Sequence, residues 1–244
     1  DGIIDLDQDA PVGESFAAWA GLDDPVIEIA ITPNRADCLG VRGVARDLAA
    51  AGYGTLKPLD TSAHEGSFDS PVTWRLDLDG AEHLAPLITG IAFRGVTNGP
   101  SPDWMARRLN AIGQRPISAL VDITNYVMFD LGRPLHAYDI DKIHGSELIV
   151  RQADGGEPFA ALNEKTYEME AGMITIGDAE GVDDLAGVMG GERTGVSDGT
   201  TGMFLEIAVF DPISVATTGR KLNLNSDARY RFERGLDSES PVWA

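Results

Sequence analysis

The sequence predicts an α+β fold. Short apolar or alternating runs are separated by turn residues throughout the second half. Helix-start signals fall between them, at Ser101-Pro102-Asp103 and Asp211-Pro212 among others. The two kinds of segment do not follow a regular βαβ alternation, so a parallel doubly wound sheet is not expected.

Taken in order, residues 27–31 alternate and read as a strand. Thr32-Pro33-Asn34-Arg35 turns the chain, and Asp37 is placed to cap a helix running to about Ala51, closed by Gly52. Residues 54–70 mix polar residues with Pro58 and Gly66 and read as a boundary or linker. Val72–Leu78 alternates as a half-buried strand, and residues 87–94 read as another. Helices are expected from Ser101 to near Gly113 and from Ser118 to Leu131, the second stopped by Gly132 and Pro134. Strands follow at 148–151, 158–162, 166–169, 173–176, 185–189 and 204–210. A short helix starts at Asp211-Pro212, and a last one runs from Ser226-Asp227 towards Arg234 and stops at Gly235.

Of the 244 residues, 43% are hydrophobic, enough for one large core or two smaller ones. The net charge of −20 should repel polyanions at long range, which argues against a free-standing nucleic-acid binder. The single cysteine, Cys38, excludes an internal disulfide and a multi-cysteine metal site, and four scattered histidines give no ligand spacing. No metal is therefore expected. No apolar run is long enough to span a bilayer and no signal peptide is recognisable, so the expected compartment is the cytoplasm. The chain starts without methionine and ends just after a charged helical stretch, and it reads as a piece of a longer protein.

Four features carry candidate chemistry. Gly187-Val188-Met189-Gly190-Gly191-Glu192 is a glycine-rich turn without the lysine and hydroxyl of a phosphate loop. It is either a tight turn or a place where a ligand meets bare backbone. His136 leaves a helix behind Arg133-Pro134-Leu135 and titrates in the range useful for proton transfer. Glu206 is a lone acid in the apolar run 203–210, and strand period puts it on the face of Phe204 and Ala208. If that face is solvent, Glu206 is an ordinary surface residue; if it lines a cavity, the carboxylate needs a donor. Residues 219–234 hold five cations, Arg220, Lys221, Arg229, Arg231 and Arg234, against two acids. That segment is either a solvated helix face or a phosphate-facing patch, which Arg107, Arg108 and Arg115 would extend.

Several runs together resemble one family, the beta subunit of bacterial phenylalanyl-tRNA synthetase. They are Glu28–Ala45, Ala119–Asp139, Gly187–Glu192, Phe204–Ala208 and Ser226–Asp237, in the family's order. The resemblance implies that residues 1–60 are the trailing part of a small split domain that follows an inserted OB-fold. It further implies a linker at 61–68, an editing module of two packed α+β units with an antiparallel β-sandwich at 69–237, and a connection to the next domain at 238–244. The implied activity is hydrolysis of tyrosyl-tRNA(Phe). The implied site residues are His136, Gly190 and Arg115 at the catalytic centre. Glu206, Ser226, Ala228 and Gly187 would bind substrate, with the cations of 219–234 near the tRNA. Ser226 stands where the family often has threonine, which should loosen any wall it forms. The implied partners are tRNA(Phe) and a catalytic alpha subunit in an α2β2 heterotetramer. ATP and Mg2+ would belong to the full enzyme, with no cofactor in this part. Two other readings stay open: a non-catalytic RNA-binding or assembly module, and a generic ester hydrolase.

Overall fold

The computed structural model describes residues 3–243, so the outermost residues of the expected 1–60 and 238–244 segments lie outside the described residues. In chain order the elements are α1 (Phe16–Trp19), α2 (Val41–Ala50), β1 (Thr73–Asp77), β2 (Leu87–Arg94), α3 (Asp103–Ala111), α4 (Ala119–Leu131) and β3 (His136–Asp139). They continue with β4 (Glu147–Gln152), β5 (Pro158–Ala161), β6 (Lys165–Glu168), β7 (Ile174–Gly177), β8 (Val182–Leu185), β9 (Met189–Gly190) and β10 (Gly202–Val209). Helices α5 (Pro212–Lys221), α6 (Asp227–Phe232) and α7 (Ser240–Trp243) close the chain. This is the α+β class expected from the sequence.

The strands form a five-stranded sheet in the order β1-β4-β7-β8-β9, a three-stranded sheet β2-β10-β3, and the hairpin β5-β6. Pairing is antiparallel except between β1 and β4. The central strand β10 has two different faces. Phe204 and Ala208 join the main core with Tyr138, Leu148, Ile176 and Leu185. On the other face Met203 packs with Leu120 of α4 and Ala137 of β3. Burying such side chains stabilises by about 1.5–3 kcal/mol each.

Local signals explain most helix ends. Asp211 accepts a hydrogen bond from the Ser214 amide and Pro212 occupies the first turn, as the cap-plus-proline signal requires. Ser226 caps α6 by accepting from the Arg229 amide. α4 ends at Gly132 in the left-handed conformation. Ser101 does not cap α3; the cap position falls on Pro102, and the Ser101 hydroxyl bonds the Asp122 carboxylate instead.

Three expectations are corrected, and one strand appears that the sequence does not signal. Residues 27–31 form no strand: Ile27 and Ile29 are exposed, and alternation without a partner strand leaves the backbone groups with no ladder to join. Asp37 caps nothing; it lies in a short 3-10 turn and pairs with Arg35 and Arg46, while α2 starts after Gly40. The run 185–189 is a turn joining β8 to β9, because Gly187 takes φ +69° between them. Residues 136–139, with no alternating apolar pattern, form β3 by pairing along β10.

No helix or strand occurs between residues 54 and 72. The segment before it still packs on the later helices: Arg231 of α6 donates to the Leu39 carbonyl.

Gly90 of β2 sits opposite Glu206, and the Phe204 ring fills the space a side chain would take. A Cβ there would lie 2.2 Å from Phe204 Cζ. Gly90→Ala should therefore destabilise by about 1–3 kcal/mol, although alanine in a strand otherwise gains over glycine. Urea unfolding of the variant measures this; equal or higher stability would show that the ring yields freely.

Candidate functional site

The site is built on the pairing of β3 with β10. The register sets His136 opposite Glu206 and Tyr138 opposite Phe204, so His136, Tyr138 and Glu206 share the inward face. Glu206 is 5% exposed. The Tyr138 hydroxyl donates to Glu206 Oε2 at 3.0 Å. The His136 ring meets the Tyr138 ring edge-on, with centroids 4.4 Å apart.

The hairpin β8-β9 closes the other side. Asp184 pairs with Gly190 across it, and Asp184 Oδ2 lies 3.7 Å from His136 Nδ1. Gly190 is bare because the imidazole occupies its side-chain space: a Cβ would stand 2.2 Å from His136 Cε1. The glycine-rich run thus combines a true turn at Gly187 with a close approach at Gly190. The Gly191 amide is committed to the Asp183 carbonyl, and the Gly190 carbonyl accepts from Leu162. Gly191 is therefore not a free donor for an oxyanion.

Two hollows with shared lining residues result. The outer cleft, about 410 Å³, runs between α4, the β8-β9 hairpin and the start of α6, and includes His136, Gly190, Ser226 and Ala228 in its lining. The inner pocket, about 60 Å³, is lined by His136, Gly187, Gly190, Ala228, Asp184 and Glu206. His136, Gly190 and Ala228 border both. A larger cavity of about 490 Å³ lies elsewhere, between residues 34–46, the end of α4 and residues 234–243, and shares none of these side chains.

Burial governs the electrostatics. It pushes the Glu206 carboxyl up to about 7, against the opposing pull of the Tyr138 hydroxyl and the Arg133 guanidinium. Asp184 is raised too, by burial first and then by the charges of Glu206 and Asp183. Asp183, beneath them, rises to about 7 by burial although an Arg193 nitrogen lies 2.6 Å from it. That ion pair lacks hydrogen-bond alignment, since both Asp183 carboxylate oxygens are without a hydrogen-bond partner. Burial lowers His136 to about 4, so the imidazole is neutral at pH 7, and its Nε2 is buried without a partner.

Of the expected site residues, His136, Gly190, Gly187, Glu206 and Ala228 are brought together. Ser226 lines the outer cleft only; its hydroxyl donates to the Val188 carbonyl and so ties α6 to the glycine hairpin. Arg115 lies exposed on the loop after α3, outside the lining of both hollows. The expected phosphate patch is corrected in part. Arg231 is buried, donating to the Leu39 and Asp227 carbonyls and lying over the Phe129 ring. Arg229 is held by Glu233 and the Leu224 carbonyl, and Arg234 by Glu233 and the Tyr230 ring. Arg220 is exposed, and Lys221 pairs with Glu170. Arg107 packs beside Gly21, and Arg108 donates to the Tyr126 hydroxyl. Asp184 and Tyr138 are site residues that the sequence reading missed. Among the described residues, potential metal-ligand atoms gather at Asp37, Cys38 and Asp47, where Arg35 already pairs with both acids.

The B3/4 domain family matches residues 84–244. The phenylalanine–tRNA ligase beta subunit of Brucella abortus (strain 2308) is 55% identical over 244 residues, covering 99% of this chain and 30% of that protein. The corresponding subunit of Gluconobacter oxydans (strain 621H) is 54% identical over 237 residues, covering 97% of this chain and 28% of that protein. The chain thus spans about 30% of the length of the curated relatives it matches. An N-terminal fragment of the phenylalanyl-tRNA synthetase beta subunit from Pyrococcus horikoshii aligns structurally with a TM-score of 0.44 and 16% identity, covering 86% of this chain and 69% of that one. No helix among the described residues is long and apolar enough to cross a membrane.

The buried carboxyls give a pH signature. Glu206 holds its proton more tightly when folded, so its contribution to stability is complete below about pH 4.5 and is lost as pH rises through about 7. His136 acts in the opposite sense, losing stability as pH falls from about 6.5 through about 4. Glu206→Gln removes the carboxyl and keeps hydrogen-bonding capacity. Its melting temperature should fall less than that of the unaltered chain between about pH 5 and pH 8. Identical slopes in thermal melts would show that Glu206 does not titrate in this window.

Proposed function

The chain belongs to the B3/4 domain family, and from that membership we propose that it is the editing part of a phenylalanine–tRNA ligase beta subunit, hydrolysing tyrosyl-tRNA(Phe). The observation that carries this reading is the buried Glu206 carboxyl in the lining of a pocket that His136 also lines. The high identity to beta subunits of that ligase supports it.

The chemical need is clear. Tyrosine differs from phenylalanine by one hydroxyl, and an apolar synthetic pocket rejects an added hydroxyl only moderately, so a second hydrolytic site is required. The inner pocket has room for the tip of a side chain, and the outer cleft for the ester and the terminal adenosine. Glu206 accepts from the phenolic hydroxyl. Because Tyr138 already bonds Oε2, discrimination rests on Oε1 and on filling the pocket, not on rescuing a wholly unpaired carboxylate. Water attacks the ester carbonyl; the C–O bond to the ribose breaks, releasing tyrosine and restoring the 3′-terminal hydroxyl. His136, neutral at pH 7, is suited to hold that water by accepting a hydrogen bond from it, and the proton the water loses ends on the departing ribose oxygen. Arg115 is assigned to positioning the nucleotide outside the cleft, and Ser226, Ala228 and Gly187 to the walls. Arg220 is exposed and best placed for the phosphates.

In this reading residues 69–237 are the editing module, 1–60 the trailing part of the split domain, 61–68 a linker and 238–244 the connection onwards. The longer protein would work with tRNA(Phe) and a catalytic alpha subunit that uses ATP and Mg2+, in the cytoplasm.

Hydrolysis assays on tyrosyl- and phenylalanyl-tRNA(Phe) test the assignment. Glu206→Ala should lower the tyrosyl-to-phenylalanyl ratio of kcat/KM by about tenfold or more. His136→Ala should lower kcat by about 100-fold with a smaller change in KM. An unchanged ratio in the first variant removes Glu206 from specificity, and full-speed deacylation by the second removes His136 from the chemistry. Binding of tRNA without cleavage by the unaltered chain would identify a scaffold. Cleavage of simple esters without tRNA would identify a general hydrolase.

A further inference from the structure

Asp184 is a buried acid for which the mechanism above has no use. Its side chain is 8% exposed and lines the inner pocket together with Glu206. It reaches the site from a different sheet: Glu206 comes from β10 of the three-stranded sheet, Asp184 from β8 of the five-stranded one. Two carboxyls therefore border a hollow of about 60 Å³. The groups around Asp184 are Glu206 in the same pocket lining, the Tyr138 hydroxyl, which partly offsets the effect of burial, His136 at 3.7 Å, and Asp183 next along β8. Arg133 lies behind Glu206 and carries the compensating charge nearest to that acid. None of these gives Asp184 a close cationic partner while His136 is neutral.

Two buried carboxyls lining one pocket cannot both be ionised cheaply, so the pair keeps a proton near neutrality. A carboxyl that keeps its proton is a hydrogen-bond donor, and an ionised one only accepts. The pocket then offers a donor and an acceptor side by side. A phenolic hydroxyl is both donor and acceptor, and a phenyl ring is neither.

We propose that Asp184 is a second specificity-determining residue, the acid that donates to the phenolic oxygen while Glu206 accepts the phenolic proton. The proposal rests on the editing reading above and deepens it. No bond is made or broken in this recognition step, and the proton stays within the pair. Selection by both faces of one hydroxyl favours para-hydroxyphenyl side chains over phenyl and over para-halogenated or para-methoxy rings, which cannot donate.

The test uses the 244-residue chain, with free L-tyrosine, L-phenylalanine and O-methyl-L-tyrosine as calorimetric probes and the two aminoacyl-tRNAs as substrates. Asp184→Leu, which keeps the branching at Cγ with a bulkier, apolar end and removes the donor, should lower the preference for tyrosine over phenylalanine on the order of tenfold. Asp184→Asn keeps a donor in its amide and should retain the preference within about threefold. In the unaltered chain tyrosine binding should weaken as pH rises and the pair gives up its proton, while Asp184→Asn, in which only Glu206 still titrates, should show a smaller loss over the same range. Thermal melts establish that each variant is folded, and the asparagine variant tests the idea even if leucine disrupts the pocket. An unchanged tyrosine preference in a folded Asp184→Leu, alongside a loss in Glu206→Ala, overturns the role of Asp184 alone. O-methyl-tyrosine keeps the acceptor oxygen and loses the donor, so its binding as well as tyrosine overturns the acceptance by Glu206 and with it the paired recognition. If the unaltered chain shows no preference for tyrosine in binding or cleavage, the editing reading falls and this proposal falls with it.

Discussion

The register between β3 and β10 is the constraint on which the site depends. It sets His136 directly across from Glu206 and puts both on the buried face. Strand side chains alternate, so a slip of one residue would turn Glu206 to the α4 side and bring Met203 into the main core. The neighbouring sequence is adapted to that register from three sides. Gly90 is bare on the far side of Glu206 so that Phe204 can fold across it. Gly190 is bare on the near side so that the imidazole can lie against backbone. Tyr138, two residues beyond His136, provides the hydroxyl that keeps the buried acid from being unpartnered. Phe204, Met203 and Ala208 add burial to the pairing of β10 with β2 and β3, so apolar packing helps to fix a polar site.

How much of this could be read from the sequence follows from what each residue's signal depends on. Glu206 is legible because an acid inside an apolar run is unusual, and period two assigns its face. The caps at Asp211 and Ser226 are legible because capping is local chemistry. Residues 27–31 mislead because alternation says which residues suit a strand and not whether another strand is there to pair with. β3 is invisible for the converse reason: His136–Asp139 has no strand pattern and becomes a strand because β10 lies beside it. Asp184 hides in Val182-Asp183-Asp184-Leu185. Two adjacent acids read as a solvated turn, yet every residue of this strand is buried. Tyr138 is concealed by the same gap, since its value lies in a partner 68 positions away.

The arginines of 219–234 show a related limit. Composition sees a local excess of positive charge and cannot see its destination. Arg231 spends its donors on the backbone at Leu39 and Asp227 and covers Phe129, which joins α6 to the early segment and to α4. Arg229 lies where Gly219 leaves room for it, linking α6 to α5. These guanidiniums are structural ties, and their planar forks suit several carbonyls at once better than a lysine would.

That redistribution of charge bears on how the site can select its substrate. With three of the five cations used internally and a net charge of −20, the chain offers an RNA backbone little electrostatic attraction of its own. Phosphate contacts in any case hold tyrosyl- and phenylalanyl-tRNA equally, because the two share every phosphate. Such uniform binding raises affinity without discrimination. Under the proposed editing role, selection has to come from the inner pocket, because the two esters differ there by a single oxygen. Weak general attraction then helps, because a correctly charged tRNA is not retained by contacts that cannot tell it from a wrong one. In the proposed editing role the polar residues of the pocket would carry the discrimination, and the acidic surface would keep the remainder of the interaction from masking it.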